Sequence, residues 1–137
     1  DVAKLSTKPL VATHSNAHAV TASTRNLTDR QLAAIAESGG LVGVNFGCQF
    51  LRPDGIKRSD TPLSDVLRHL DYLIGKLGET GVALGSDFDG ALMPDTLNDA
   101  SRLPGLISAM QDAGYGQELI QRLVWQNWLD LLARTIA

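Results

Sequence analysis

Pro9-Leu10-Val11-Ala12-Thr13-His14-Ser15-Asn16-Ala17 is the stretch on which the reading of this chain turns. The apolar run after Pro9 reads as a short strand, about Pro9 to Thr13, and it closes by setting one imidazole, His14, at its C-terminal end. Apolar residues at successive positions place hydrophobic side chains on both faces, as in strands buried within parallel sheets. Two further stretches repeat the pattern. Leu41-Val42-Gly43-Val44-Asn45-Phe46 runs into Gly47 and Cys48, and Val82-Ala83-Leu84-Gly85-Ser86 finishes in Asp87-Phe88-Asp89-Gly90. Groups at the C-terminal ends of strands line the active face of parallel α/β sheets and barrels. A His, an Asn and an Asp on successive strand ends therefore make a candidate site.

Helical patterns fill the intervals. Thr28 with Gln31 forms a capping box for a helix from Asp29, Leu27 is placed to staple onto Leu32, and Gly39-Gly40 ends it. Leu32, Ile35 and Ala36 supply its inward stripe. Leu51 to Thr61, with Pro53, Gly55 and several charges, reads as a surface loop of the active face. Pro62 stands where a first helical residue belongs, and Leu63, Val66, Leu67, Leu70, Ile74 and Leu77 recur at helical spacing up to Gly78. A strand from Gly81 to Ser86 leads to a loop at Met93-Pro94-Asp95 and a helix opened by Pro104 and closed near Gly114. A long final helix is expected from Gln117 to Thr135, with Trp125, Trp128, Leu129 and Leu132 as its apolar face. The order β-α-β-α-β-α-α, with connections long enough for right-handed parallel crossovers, predicts an α/β fold forming an incomplete sheet or barrel.

The chain has 137 residues, 44% of them hydrophobic, which suits one core in a single domain. A formal charge of −3 with scattered Lys and Arg argues against nucleic acid as the main partner. The single Cys48 excludes an internal disulfide and any cysteine-based zinc site made by this chain alone. It fits a reducing compartment, so a cytoplasmic location is favoured, with export of the parent protein left open. No apolar run reaches the roughly 18–20 residues that span a bilayer, and the first residues lack the pattern of a secretory signal.

Each candidate residue has an ordinary structural reading beside the functional one. His14 at a strand end suits metal binding or catalysis as well as a core hydrogen bond. His18 belongs to a loop or a helix start, since an i, i+4 pair faces one metal only on a helix and His14 closes a strand, and His69 sits inside an amphipathic helix where a packing or polar surface role is expected. Asp87-Phe88-Asp89-Gly90 lacks the further ligands and distal Glu of a calcium loop. Either carboxylate could orient a substrate amine or carry a proton, or could cap local backbone. Arg25, in a loop of the active face, has the planar fork that recognises a carboxylate. The glycines at 39, 40, 43 and 47 form no phosphate-binding motif, and neither a GxSxG elbow nor a signature around Cys48 supports a side-chain nucleophile.

Taken together, His14-Ser15-Asn16-Ala17, Arg25-Asn26-Leu27-Thr28-Asp29, Gly43-Val44-Asn45-Phe46, His69-Leu70-Asp71, Gly85-Ser86-Asp87-Phe88-Asp89-Gly90 and Asn127-Trp128-Leu129 resemble, in order and approximate spacing, the membrane (renal) dipeptidase family of zinc peptidases. The resemblance covers essentially the whole chain and implies the C-terminal portion, about strands six to eight with the closing helices, of a (β/α)8 TIM-type barrel. It implies hydrolysis of dipeptides, some with a D-residue on the C-terminal side, at a site holding two zinc ions. By the same resemblance, His14 ligates one zinc, Arg25 binds the substrate carboxylate, and Asp87 contacts the substrate amine and shuttles a proton. Phe50 falls where some members carry a substrate-site Tyr, and Asp89 receives no role. The family's His-x-Asp pair, bridging Glu, second zinc-binding His and the His that stabilises the intermediate would all lie upstream of Asp1. The expectation is accordingly that residues 1–137 form one partial domain, catalytically silent alone, whose partners are a dipeptide and the remaining barrel. The competing reading is a structural half-barrel that assembles through open strand edges, as by pairing with a second copy.

Overall fold

The computed structural model describes residues 2–136; Asp1 and Ala137, the two ends of the expected domain, lie outside them. A short helix α1 (Val2–Leu5) leads into β1 (Val11–Ala12), α2 (Asp29–Glu37), β2 (Leu41–Asn45), α3 (Cys48–Leu51), α4 (Leu63–Leu77) and β3 (Val82–Ser86). Two 3-10 turns, Asp95–Leu97 and Ala100–Arg102, precede α5 (Leu103–Asp112), α6 (Gln117–Gln121), a π-helical turn (Arg122–Gln126) and α7 (Asn127–Ile136). The strands form one parallel sheet in the order β1-β2-β3.

The capping box predicted for α2 is present: the Gln31 N–H donates to Thr28 Oγ1, and Thr28 N–H donates to Gln31 Oε1 at 2.8 Å. Pro62 is the N-cap of α4 rather than its first helical residue, a shift of one position. At the far end Gly78 adopts φ +76°, the left-handed region a glycine enters without a Cβ clash.

Val42, Val44 and Phe46 face one side of the sheet and pack in the main core with Leu32 and Ile35 of α2 and Val66, Leu70 and Leu73 of α4. Alternation along the strands turns Leu41, Gly43 and Asn45 the other way, where Leu41 and Ala83 meet Leu131 and Trp128 of α7. Between that small cluster and the strand ends, Gly43 and Gly85 make room for a neighbour. A Cβ on Gly43 would lie 2.2 Å from the Thr13 carbonyl oxygen, and one on Gly85 2.1 Å from the same atom.

Two expectations need correction. β1 is two residues long, not five; it pairs with β2 alone among the described residues, and Val11 is 43% exposed. The loop expected over Leu51 to Thr61 is present from Arg52 onward, and a short helix, Cys48–Leu51, precedes it. The final helix carries a π-helical turn, and its buried stripe is Ile120, Leu123, Asn127 and Leu131. Trp125, Leu129 and Leu132 lie on the opposite, exposed side.

The outer edge of β3 has no partner strand among the described residues, yet its carbonyls are satisfied. Asn127 Nδ2 donates to the Glu79 and Val82 carbonyls, each at 2.7 Å, and Trp128 Nε1 donates to Leu84 at 2.9 Å. These two side chains anchor the last helix to the sheet. No helix among the described residues is long and apolar enough to cross a membrane.

Gly85→Ala should lower stability by about 2–3 kcal/mol, or prevent folding, because the new methyl has only backbone to displace. Gly75→Ala, where an added Cβ meets nothing within 4 Å, should be neutral or stabilising. Equal urea midpoints for Gly85→Ala and the parent would disprove the close approach.

Candidate functional site

The site is built from the three strand ends and is held by buried amides. Asn16, four residues beyond β1, donates from Nδ2 to the Asn45 carbonyl at 2.9 Å, while its Oδ1 accepts the Asn45 N–H at 2.9 Å. This reciprocal pair fixes the chain after β1 against the end of β2. Asn45 in turn donates from Nδ2 to Asp87 Oδ2 at 2.9 Å and to the His14 carbonyl at 3.3 Å. Its Oδ1 accepts the Gly47 N–H at 2.7 Å, which fixes the orientation of the amide.

Asp87 reaches that position through irregular backbone. The β2–β3 register slips between Val44 and Asn45, so that Val44 pairs with Leu84 but Asn45 pairs with Ser86, leaving Gly85 as the extra residue of a bulge. Ser86, Asp87 and Asp89 then take φ of 61°, 76° and 66°. The turn brings Asp87 Oδ1 against Gly90, where a Cβ would lie 2.3 Å from it. Oδ2 is thus committed to Asn45, and Oδ1 has no hydrogen-bond donor among the described residues. Phe88 packs its ring on Phe46, with centroids 5.6 Å apart, tying the turn to the core.

Arg25 sits on a loop whose two ends are pinned together. Ala17 and Leu27 form a parallel bridge, with the His18 N–H donating to the Leu27 carbonyl and the Leu27 N–H to the Asn16 carbonyl. Within it, Asn26 Nδ2 donates to the Thr21 and Phe50 carbonyls, both at 3.0 Å. The Arg25 guanidinium lies over the Phe50 ring, 5.6 Å from its centroid, and is exposed. Arg25 makes no ion pair among the described residues.

His69 holds this loop from beneath. It is fully buried on α4, its Nδ1 accepts the Ala17 N–H at 3.2 Å, and its Nε2 lies 3.1 Å from the Leu51 carbonyl. An acceptor at Nδ1 and a carbonyl at Nε2 select the Nε2–H tautomer. Desolvation by burial pushes its pKa down to about 4, against a contribution from Leu51 that raises it. A second proton would also have to point at the Ala17 N–H.

The structure therefore brings together the His14 backbone and the Asp87 carboxylate, both on Asn45, and links Arg25 to them through Phe50, Asn26 and Asn16. His14 Nδ1 pairs with Thr13 Oγ1 at 2.8 Å, and Nε2 has no partner among the described residues. Asp89 is exposed, and burial raises the pKa of the Cys48 thiol, opposite to what an activated nucleophile requires. Among the described residues, no group of three or more His, Cys, Asp or Glu side chains could hold a metal ion. Asn16, Asn26 and His69 were not assigned their orienting roles from sequence. A signal was available in polar residues standing within otherwise apolar stretches, but it does not name their partners.

The family pattern of membrane dipeptidase (peptidase family M19) matches residues 1–136. A Klebsiella pneumoniae protein described as an uncharacterized protein in the pqqA 5′ region is 58% identical over 132 residues, covering 96% of this chain and 49% of that protein. Dipeptidase ataJ of Aspergillus terreus is 36% identical over 133 residues, covering 96% of this chain and 32% of its own. A crystal structure of a metallo peptidase from Rhodobacter sphaeroides, liganded with a phosphinate mimic of the dipeptide L-Ala-D-Ala, superposes with a TM-score of 0.96 at 57% identity. That match covers 98% of this chain and 38% of the Rhodobacter chain. The chain thus spans half or less of the length of these relatives.

Because the folded state keeps His69 neutral well below its ordinary value of 6.5, the unfolded chain binds a proton first as pH falls. Stability should drop between about pH 6.5 and 4, by on the order of 3 kcal/mol in total. In His69→Gln that part of the pH profile should flatten; urea midpoints with the same pH slope as the parent would show that His69 is not the group responsible.

Proposed function

Since the chain belongs to the membrane dipeptidase family, peptidase family M19, a family of peptide hydrolases, we propose that it is the C-terminal part of a (β/α)8 barrel that hydrolyses dipeptides. The observation that carries this reading is the convergence on Asn45: one amide holds both the His14 backbone and the Asp87 carboxylate. Strand ends that meet in this way supply the active face of a barrel. The apolar side of the last helix supports the same reading, since Trp125, Leu129 and Leu132 are each at least 44% exposed and need a covering surface.

In this proposal Arg25 receives the C-terminal carboxylate of the substrate through its exposed planar fork, which Phe50 supports from beneath with its ring. Asp87 Oδ1 accepts from the substrate's ammonium group and moves a proton during turnover. Two opposite charges fixed on a rigid frame favour a substrate short enough to satisfy both, which is a dipeptide. The mimic in the Rhodobacter structure makes L-Ala-D-Ala the first substrate to try.

His14 Nε2 is proposed as one donor to one of two zinc ions. A single imidazole cannot hold a zinc ion, which takes about four ligands, and the described residues contain no complete ligand group. The remaining donors would come from the rest of the barrel, so the 137-residue chain alone should be silent.

In the full-length protein loaded with zinc, Arg25→Ala should raise KM for L-Ala-D-Ala about 100-fold and leave the C-terminal amide of that dipeptide little changed. His14→Ala should lower bound zinc as read by native mass spectrometry. Equal losses on acid and amide, or full zinc content in the His14 variant, would remove those roles.

A further inference from the structure

We propose that Asn45 is a positioning residue for hydrolysis: it aims the Asp87 carboxylate so that Oδ1 alone faces the substrate's amine. The inference rests on the dipeptidase reading of the site and gives a function to a residue that touches no substrate.

Four observations carry it. The Asn45 amide cannot be flipped, because Oδ1 must accept the Gly47 N–H at 2.7 Å, so Nδ2 is the atom presented to Asp87 Oδ2 at 2.9 Å. The main chain of Asn45 is clamped by Asn16 on both its N–H and its carbonyl, and the residue is 2% exposed, so the donor is rigid. Gly90 leaves space only for the other oxygen, with a hypothetical Cβ 2.3 Å from Asp87 Oδ1. Oδ1 itself has no donor among the described residues. A carboxylate held by one oxygen from one side and seated on a bare Cα from the other has a single free acceptor with a set direction. Neither a carboxylate nor an aliphatic side chain at position 45 could do this, since only a donor can hold an ionised oxygen.

The test is made on the full-length, zinc-loaded enzyme with two substrates, L-Ala-D-Ala and propionyl-D-Ala, which differ only in the amine. The parent should prefer L-Ala-D-Ala, and Asp87→Asn should collapse that preference. Asn45→Asp keeps the volume and the acceptor for Gly47 but loses the donor. It should cut kcat/KM for L-Ala-D-Ala about 10- to 100-fold and that for propionyl-D-Ala by a clearly smaller factor, because the amine-free substrate never uses the contact that Oδ1 makes with the amine. Asn45→Asp combined with Asp87→Asn exchanges donor and acceptor across the same gap. That exchange should restore the melting temperature, which tests the contact between positions 45 and 87 even if the single variant misfolds. Equal losses on the two substrates in Asn45→Asp, or an exchange variant that melts no higher than Asn45→Asp, would overturn the positioning role. Failure of the parent to prefer the amine, or of Asp87→Asn to abolish the preference, would instead overturn the assignment of Asp87.

Discussion

The reciprocal hydrogen bonding between Asn16 and Asn45 is the constraint from which the rest of this site follows. A parallel ladder places strands side by side but leaves their C-terminal ends to loops, and loops are where order is lost. Here a side-chain amide replaces the next rung of the ladder, giving one donor and one acceptor to the main chain of Asn45 at the point where β1 has already ended. Both residues are buried, so failure to pair would leave several polar groups dry. That penalty makes the arrangement all-or-none. Once it is made, Asn45 has its side chain free to reach Asp87 and the His14 carbonyl, and Asn16 continues to the Phe50 carbonyl at 3.3 Å.

The helical frame was legible because its signals are local. The capping residues of α2 and the apolar spacing of α4 depend on neighbours three and four positions away, and both helices form where the spacing puts them. The strand ends were legible for a related reason: a run of apolar residues that stops at a polar one marks both a strand and its exit. What the sequence left hidden is what depends on distant partners. β1 pairs with β2 alone among the described residues, and α3 forms in a segment whose Gly47 N-cap offers no side-chain signal. Asn26 and His69 meet the same stretch, Phe50 to Leu51, from opposite sides of the chain, and nothing local in either residue foretells it. Of the candidate site, His14, Asn45 and Asp87 were marked by their strand ends and Arg25 by its loop, the resemblance supplied their roles, and the hydrogen bonds by which Asn16, Asn26 and Asn45 hold the site became visible only in three dimensions.

The last helix shows how a polar residue can misdirect a reading of amphipathicity. Two apolar stripes run along it. The one that includes Trp125, Leu129 and Leu132 is unbroken, whereas Ile120, Leu123 and Leu131 are interrupted by Asn127. Hydropathy alone favours the unbroken stripe, yet Asn127 belongs inside because its amide serves the open edge of β3. The buried amide is the reason the interrupted stripe faces the sheet, and it leaves the continuous stripe outward.

The backbone at the end of β3 carries the functional demand most directly. A non-glycine residue at positive φ costs of order 1–3 kcal/mol, and Ser86, Asp87 and Asp89 all stand there within four residues. Glycine at position 87 would relieve that cost and would still allow the turn. A side chain is nevertheless present, and it is the one whose two oxygens are treated differently, one held by Asn45 and one set over Gly90. On the proposed reading, strain at a position where the backbone alone would favour glycine is kept for the carboxylate. Asp is among the residues that enter this region most readily, so carboxylate chemistry and backbone tolerance meet in one residue type. Ser86 has no such excuse in its side chain. Its carbonyl accepts the Phe46 N–H at 2.7 Å, closing the ladder beyond the bulge, so its conformation is fixed by the sheet and in turn aims Asp87.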